Sequence, residues 1–250
     1  MSAGYPSGRA LSADTAATWT AIVAPFIPQG TNTRILDLGA GTGRFSELFV
    51  RTFDAHVVGV EPSTAMLAAA GGGAQPKRPA YVVGTGEAIP LRNDSCDLAW
   101  LSQVWHHVRD HQACARELHR ILPPGAHVFV RGTFADQLNG FPTLFRFWPG
   151  TREICQQLPT IEHTIAVFKA NGFVLTEHRR VDQATARSLR EFAERTKFRA
   201  DTALALISDK EFLEGQAAIE AEASREHVPG PVVERIELLV FQTESSRGAD

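Results

Sequence analysis

The stretch ILDLGAGTGRF, residues 35–45, constrains this chain more than any other. The apolar run Arg34–Leu38 reads as a short strand. In Arg44–Thr52 the apolar residues Phe45, Leu48 and Phe49 fall at helical spacing. Asp37 stands at the end of that strand, and Gly39, Gly41 and Gly43 lie between strand and helix. Glycines there permit positive φ and leave room for a ligand against bare backbone. The helix that follows offers N–H groups with no partner inside the helix. A dinucleotide turn wants G-x-G-x-x-G, to seat a pyrophosphate on that helix end. Here the third position is Arg44, and the glycines run G-x-G-x-G. A phosphate loop of the G-x-x-x-x-G-K type is absent as well. The turn therefore suits a nucleoside without a pyrophosphate better than it suits NAD or ATP.

The next strand, in VVGVEPS, ends on Glu61. An acid at that place accepts both hydroxyls of a ribose. Taken alone, it reads equally as a solvated acid at a helix start. Further strands are expected at Val57–Val60, Tyr81–Val83, Asp97–Leu101 and His127–Val130. Helices are expected at 12–27, Ser63–Ala70 and Asp110–Leu122, the last stopped by Pro123-Pro124-Gly125. Alternating strands and helices predict an α/β parallel sheet covered on both faces. Right-handed crossovers place the loops after the strands on one edge, where ligands of open sheets bind.

After Arg131 the pattern changes. Phe141, Phe145 and Trp148 stand at i, i+4 and i+7. Ile161–Asn171 reads as a helix closed by Gly172, and Phe173–Val181 as a strand. Residues 185–226 read as two or three helices. One begins at Ser208, with Glu211 completing a capping-box pattern. Val232–Phe241, after Pro231, reads as the last strand. The aromatic group Phe141, Phe145, Phe147 and Trp148 admits two readings, a lid over an apolar acceptor or the packing face of a short helix. Arg131, Arg146 and Arg152 could clamp a carboxylate or be solvated.

Hydrophobic residues make up 44% of the 250 and charged residues 21%, ordinary for a globular chain with a real core. A net charge of −3 gives no general pull toward nucleic acid or an anionic membrane. No stretch approaches the roughly 18 continuous apolar residues of a membrane span. The start, MSAGYPSGRALSAD, does not read as a secretory signal. Cys96, Cys114 and Cys155 are odd in number and form no CxxC, so a reducing cytoplasmic location is expected.

The stretches ILDLGAGTGRF, VVGVEPSTAML, VVGTGEAIPLRNDSCDLAWLSQVWHHV and ACARELHRILPPGAHVFV follow one another between Arg34 and Thr133. In that order they resemble the class I S-adenosylmethionine-dependent methyltransferases. The similarity is to the small-molecule branch that includes quinone C-methyltransferases and trans-aconitate methyltransferases. The resemblance implies one Rossmann-like methyltransferase domain over 1–250, with sheet order 3-2-1-4-5-7-6 and the last strand antiparallel. Residues 31–135 would form the cofactor-binding core. Helical lid insertions at 136–160 and 184–230 would form the substrate cover. The implied cofactor is S-adenosyl-L-methionine, the partner a small-molecule acceptor, and the assembly a monomer or homodimer.

Residue by residue, the resemblance gives Asp37, Gly39, Ala40, Gly41 and Gly43 the amino-acid end of the cofactor. Glu61 takes the ribose, and Pro62 and Met66 lie near the adenine. Gly86 and Glu87 present backbone groups to the adenine edge. Thr85 stands where the family often has Asp, and its hydroxyl would be a weaker acceptor. Ser102 and Gln103 face the sulfonium region. Tyr5 and Arg9 resemble an N-terminal pair that closes over the cofactor carboxylate.

In the implied chemistry the cofactor carries the electrophile, and the protein aligns the acceptor and excludes water. Trp105 is a candidate aromatic face for the sulfonium. His106 is the candidate base, ahead of His107, because imidazole titrates in the useful range. His107, His111 and Cys114 would share a face on a continuous helix, but no HExxH or CxxC supports a metal, and none is expected. The alternative function is a non-catalytic protein that binds S-adenosylmethionine or S-adenosylhomocysteine as a partner or sensor.

Overall fold

The computed structural model describes residues 11–28, 32–70 and 77–244. In chain order the strands are β1 (Arg34–Leu38), β2 (His56–Glu61), β3 (Ala80–Val83), β4 (Leu98–Ser102), β5 (His127–Gly132), β6 (Phe173–Ala186) and β7 (Val232–Thr243). The helices are α1 (Ala13–Val23), α2 (Arg44–Phe53), α3 (Thr64–Ala68), α4 (His111–Ile121), α5 (Pro142–Phe147), α6 (Gly150–Cys155), α7 (Ile161–Ala170), α8 (Leu189–Thr196), α9 (Thr202–Leu206) and α10 (Asp209–Ala223). The strands form one seven-stranded sheet of order β3-β2-β1-β4-β5-β7-β6. β1 to β5 run parallel, and β7 lies antiparallel to β5 with Phe129 opposite Val240. The expected order and the reversed last strand are both present.

The chain forms two compact units. One contains Thr18–Gly132, Ile161–Arg179 and β7 from Glu237 onward. Its central strands are continuous apolar runs, as strands covered on both faces must be. Leu98, Ala99, Trp100 and Leu101 are all fully buried. On one face Trp100 meets Trp19 of α1 and Phe45 and Phe49 of α2, with ring centroids 5.0–5.9 Å apart. On the other, Phe168 of α7 stacks on Phe241 at 4.1 Å. Aromatic pairs of this kind add to the area they bury.

Local signals set the helix ends. Asp110 caps α4, its carboxylate accepting from Ala113 N–H at 2.9 Å, and Pro123-Pro124 follow the last turn. Ser63 caps α3 in the same way, but the helix ends at Ala68, short of the expected Ala70. β6 runs five residues beyond the expected Val181. Thr185 Oγ1 donates to the Val232 carbonyl at 3.1 Å, so β7 gives the polar end of β6 a partner.

The other unit contains Thr133–Thr160, Arg180–Ile236 and the described residues before Thr18. Trp148 is fully buried, and its Nε1–H donates to the Phe212 carbonyl at 3.1 Å. Phe141 and Phe147 are buried too, so these aromatic side chains pack inside their own unit. Arg146 pairs with Glu222 at 2.6 Å, and Arg152 lies over the Phe145 ring. Ser208 accepts from Glu211 N–H, as the capping pattern predicts. The Glu211 carboxylate does not return to the cap. It accepts from Gly150 N–H at 2.7 Å. Among the described residues no helix is long and apolar enough to cross a membrane.

Candidate cofactor site

The glycine turn sits at the C-terminal end of β1. Gly39, Gly41 and Gly43 have φ of +69°, +59° and +81°, the left-handed region that glycine adopts without strain. Their surroundings differ. A Cβ on Gly39 would collide with the Val104 side chain, and one on Gly43 with the Tyr81 hydroxyl. A Cβ on Gly41 would meet only Met66 Sδ, at 3.6 Å. Only Gly41 therefore leaves the room the sequence suggested; the other two are glycine because this protein's own side chains fill the space.

Glu61 is 7% exposed at the end of β2. Its Oε2 accepts from Gly41 N–H at 3.1 Å, and its Oε1 from Ser63 N–H at 2.9 Å. The Val60 carbonyl accepts from Gly39 N–H at 2.8 Å. The turn is thus tied to the end of the neighbouring strand. A carboxylate has about four acceptor positions, so Glu61 keeps capacity for further donors.

Asp37 is 2% exposed and accepts from Ser46 Oγ at 2.5 Å. Burial pushes its carboxyl up to about 6, against the lowering effect of the Ser46 hydroxyl and the Arg44 charge. Tyr81 reaches from β3 across Gly59 to Gly43, and burial raises its phenol to about 12.

Met66 borders the room over Gly41, while Pro62 is exposed between Glu61 and the α3 cap. Thr85 and Ala88 close a tight turn, bridged by Ala88 N–H to the Thr85 carbonyl. Gly86 is buried there, and a Cβ would press on Cys114 Sγ. The Glu87 carboxylate accepts from Arg109 N–H at 2.8 Å and Asp110 N–H at 3.3 Å, tying the chain ahead of α4. Burial raises the Glu87 carboxyl, but these bonds, its own amide and the Thr85 hydroxyl outweigh it, so the net shift is downward.

At the end of β4, Ser102 Oγ accepts from Arg131 Nη1 at 3.1 Å. Gln103 holds a left-handed φ of +55°, with its N–H donating to the Arg131 carbonyl at 2.7 Å. Arg131 is no surface clamp. It is 3% exposed, its guanidinium 4.6 Å from the Trp19 ring centroid. His106 lies half-buried in the 3-10 turn Trp105–His107, its ring 4.1 Å from that of His107. Trp105 offers no free face of the kind expected. It is buried, stacked on His111 at 4.3 Å and packed on Phe168, with Nε1–H donating to Thr164. His111 bonds the Trp105 carbonyl and His163, and Cys114 is fully buried. Among the described residues no group of three His, Cys, Asp or Glu side chains is placed to hold a metal. Arg9 and Tyr5 lie outside the described residues.

Sequence reasoning missed Val104, Tyr81 and Ser46. Gly59, inside β2, was the available signal for Tyr81, because an interior strand glycine marks a close approach.

Residues 36–130 match a family described as a methyltransferase domain. An uncharacterized methyltransferase of Mycobacterium leprae is 36% identical over 101 residues, 40% of this chain and 36% of that protein. A demethylmenaquinone methyltransferase of Streptomyces griseus is 31% identical over 120 residues, 48% of this chain and 51% of that protein. The matches thus span about a third to a half of those relatives' lengths. Among solved structures, a putative methyltransferase from an antibiotic biosynthesis pathway of Anabaena variabilis superposes with a TM-score of 0.75 at 17% identity. That likeness covers 94% of this chain and 99% of that one. The fold is that of the class I methyltransferases.

Proposed function

We propose, from a methyltransferase domain at residues 36–130 on a class I sheet, that the chain moves a methyl group from S-adenosyl-L-methionine to a small-molecule acceptor. One observation carries the reading. The room over Gly41 is bounded by Met66 and joined to the buried Glu61 carboxylate, as a nucleoside resting on bare main chain requires.

The residues present fit that cofactor. Asp37 would hold its ammonium group, and Glu61 would accept from the ribose hydroxyls. Met66 and Pro62 would border the adenine, with the Thr85–Glu87 turn on its edge. Ser102 and Gln103 would face the reacting end. When bound, the cofactor supplies a methyl group already activated by a cationic sulfur. The chain then has to orient the acceptor, exclude water and, for a protic acceptor, take a proton at His106. The Trp105 ring has no part in this, being packed in the core. The role of cover over the acceptor falls, on the resemblance alone, to segments 136–160 and 184–230.

Two measurements test the reading. Calorimetry should find S-adenosylhomocysteine binding that Gly41→Val abolishes. A labelled methyl donor should then pass its label to a member of a metabolite panel. Equal affinity in the wild type and Gly41→Val would remove the site. Binding without turnover on any panel member would favour the sensor alternative.

A further inference from the structure

Outside the residues just described, one titratable pair stands on the same edge of the sheet. Glu237 begins the part of β7 opposite β5, with Glu237 facing Gly132 across the ladder. Its side chain is 4% exposed, and its Oε2 lies 2.5 Å from Nε2 of His178 on β6, whose side chain is 32% exposed. A buried carboxylate accepts and cannot donate, so the hydrogen of this bond belongs to His178 Nε2. In the neutral imidazole the other nitrogen, Nδ1, is then an obligate acceptor. No hydrogen bond of Nδ1 is found among the described residues. A carboxylate that fixes the tautomer of an accessible histidine is the arrangement that prepares an imidazole to receive a hydrogen from a ligand.

The position limits the role. Gly132 is the last residue of β5, and Ser102, the last of β4, pairs with Arg131 beside it. Along the strand direction the pair is level with the proposed reacting end, but Glu237 stands one residue from Leu238, the partner of Arg131, so its side chain and His178 lie on the face of the sheet opposite Ser102 and Arg131. In the strand order, however, β6 is three places from β4, on the order of 14 Å at a strand spacing of ~4.8 Å. His178 is too far to take a proton from an atom receiving the methyl at the end of β4. It can meet only the far end of an acceptor that extends across the ends of β5 and β7 toward that face.

We propose that His178, its tautomer fixed by Glu237, anchors the distal end of the methyl acceptor by accepting a hydrogen bond from a hydroxyl or N–H group. That group would lie on the order of 10 Å from the methylated atom, given the strand spacing. The anchor rests on the methyl-transfer reading and selects elongated acceptors bearing a hydrogen-bond donor at the end far from the methylated atom. His178 is the specificity residue and Glu237 its positioning residue.

The test uses the full chain loaded with S-adenosylhomocysteine and a library of phenols, hydroxy acids and amides of about that length, each paired with its methyl-capped counterpart. Binding is read by ligand-observed NMR. At least one uncapped compound should bind the wild type, and its capped counterpart, His178→Gln and Glu237→Gln should each weaken that binding at least tenfold. S-adenosylhomocysteine affinity should stay unchanged in both variants. Nitrogen-15 shifts should show the Nε2–H tautomer of His178 in the wild type and a mixture in Glu237→Gln. No compound that distinguishes the variants, or an Nδ1–H tautomer in the wild type, overturns the anchor. Failure of the wild type to bind S-adenosylhomocysteine strikes the methyl-transfer reading instead, and the same library on the unloaded chain then decides the anchor. If His178→Gln does not fold, Glu237→Gln carries the comparison.

Discussion

Gly41 N–H and Glu61 Oε2 are 3.1 Å apart, so the carboxylate that would grip a sugar also holds the turn on which the nucleoside would rest. The same carboxylate accepts from Ser63 N–H. Bonds from backbone amides to a charged acceptor contribute about 1.5–3 kcal/mol each. Glu61→Ala should therefore lower the melting temperature and weaken S-adenosylhomocysteine binding more than tenfold. Glu61→Gln keeps one acceptor oxygen and should lose binding while losing less stability. Calorimetry and thermal melts on both variants check this; equal stability losses would mean that the carboxylate's charge, not its geometry, holds the turn.

Gly41 and Gly43 of the turn should separate by the same two measurements. An alanine at Gly41 meets ordinary contact, so its cost is the left-handed backbone, about 1–2 kcal/mol. It should fold and bind poorly. An alanine at Gly43 adds a collision with the Tyr81 hydroxyl and should destabilise more. Tyr81→Phe in the same chain removes the colliding oxygen and should restore part of the loss. No recovery in that double variant would mean that backbone strain alone sets the cost.

Asp37 gives the site a pH dependence of definite sign. Burial raises its carboxyl from 3.8 to about 6, so without ligand the folded protein keeps a proton there up to about pH 6. That favourable contribution is fully present below the unfolded value and is lost as pH rises through about 6. Holding an ammonium group needs the ionised form. Affinity for S-adenosylhomocysteine should thus be flat above pH 7 and fall about tenfold by pH 5. Asp37→Asn should be more stable than the wild type at pH 8, bind weakly and lose this dependence. Wild-type affinity that stays constant from pH 8 to 5 would remove Asp37 from the site.

His106 shares its short turn with Trp105, which is anchored on Thr164, His111 and Phe168. Replacing His106 should leave that anchoring in place. His106→Ala is therefore expected to slow turnover of a protic acceptor while S-adenosylhomocysteine affinity stays within twofold. Full activity from pH 6 to 9 would leave His106 a structural residue.

The β1 turn was legible because glycine spacing and an apolar strand are local signals. The place of Glu61 at the end of β2 was legible for the same reason. What fills the space around Gly39 and Gly43 was not, because Val104 arrives from the loop after β4 and Tyr81 from β3, both far away in sequence. Trp105 shows the limit from the other side. Its place after β4 suggested a face for a cation, yet whether an aromatic ring is free depends on Phe168 and Thr164, some sixty residues downstream. The length of β6 was likewise hidden, since its polar end becomes a strand only when β7 is there to pair with it.

Gly215 tests the helical unit independently of any ligand. It lies inside α10, where glycine is about 1 kcal/mol worse than alanine, so an exposed Gly→Ala change would stabilise. Here the missing Cβ is what admits Trp148. A Cβ on Gly215 would fall closer to the indole Nε1 and to the Phe147 carbonyl than packed atoms approach. Overpacking of this kind costs about 1–3 kcal/mol, and a displaced indole would also lose its bond to the Phe212 carbonyl. The packing loss exceeds the helix gain, so Gly215→Ala should lower the melting temperature. Trp148→Phe in the same chain removes the indole nitrogen and should return part of the helix gain. A melting temperature raised by Gly215→Ala alone would show that α10 does not seat Trp148 in solution.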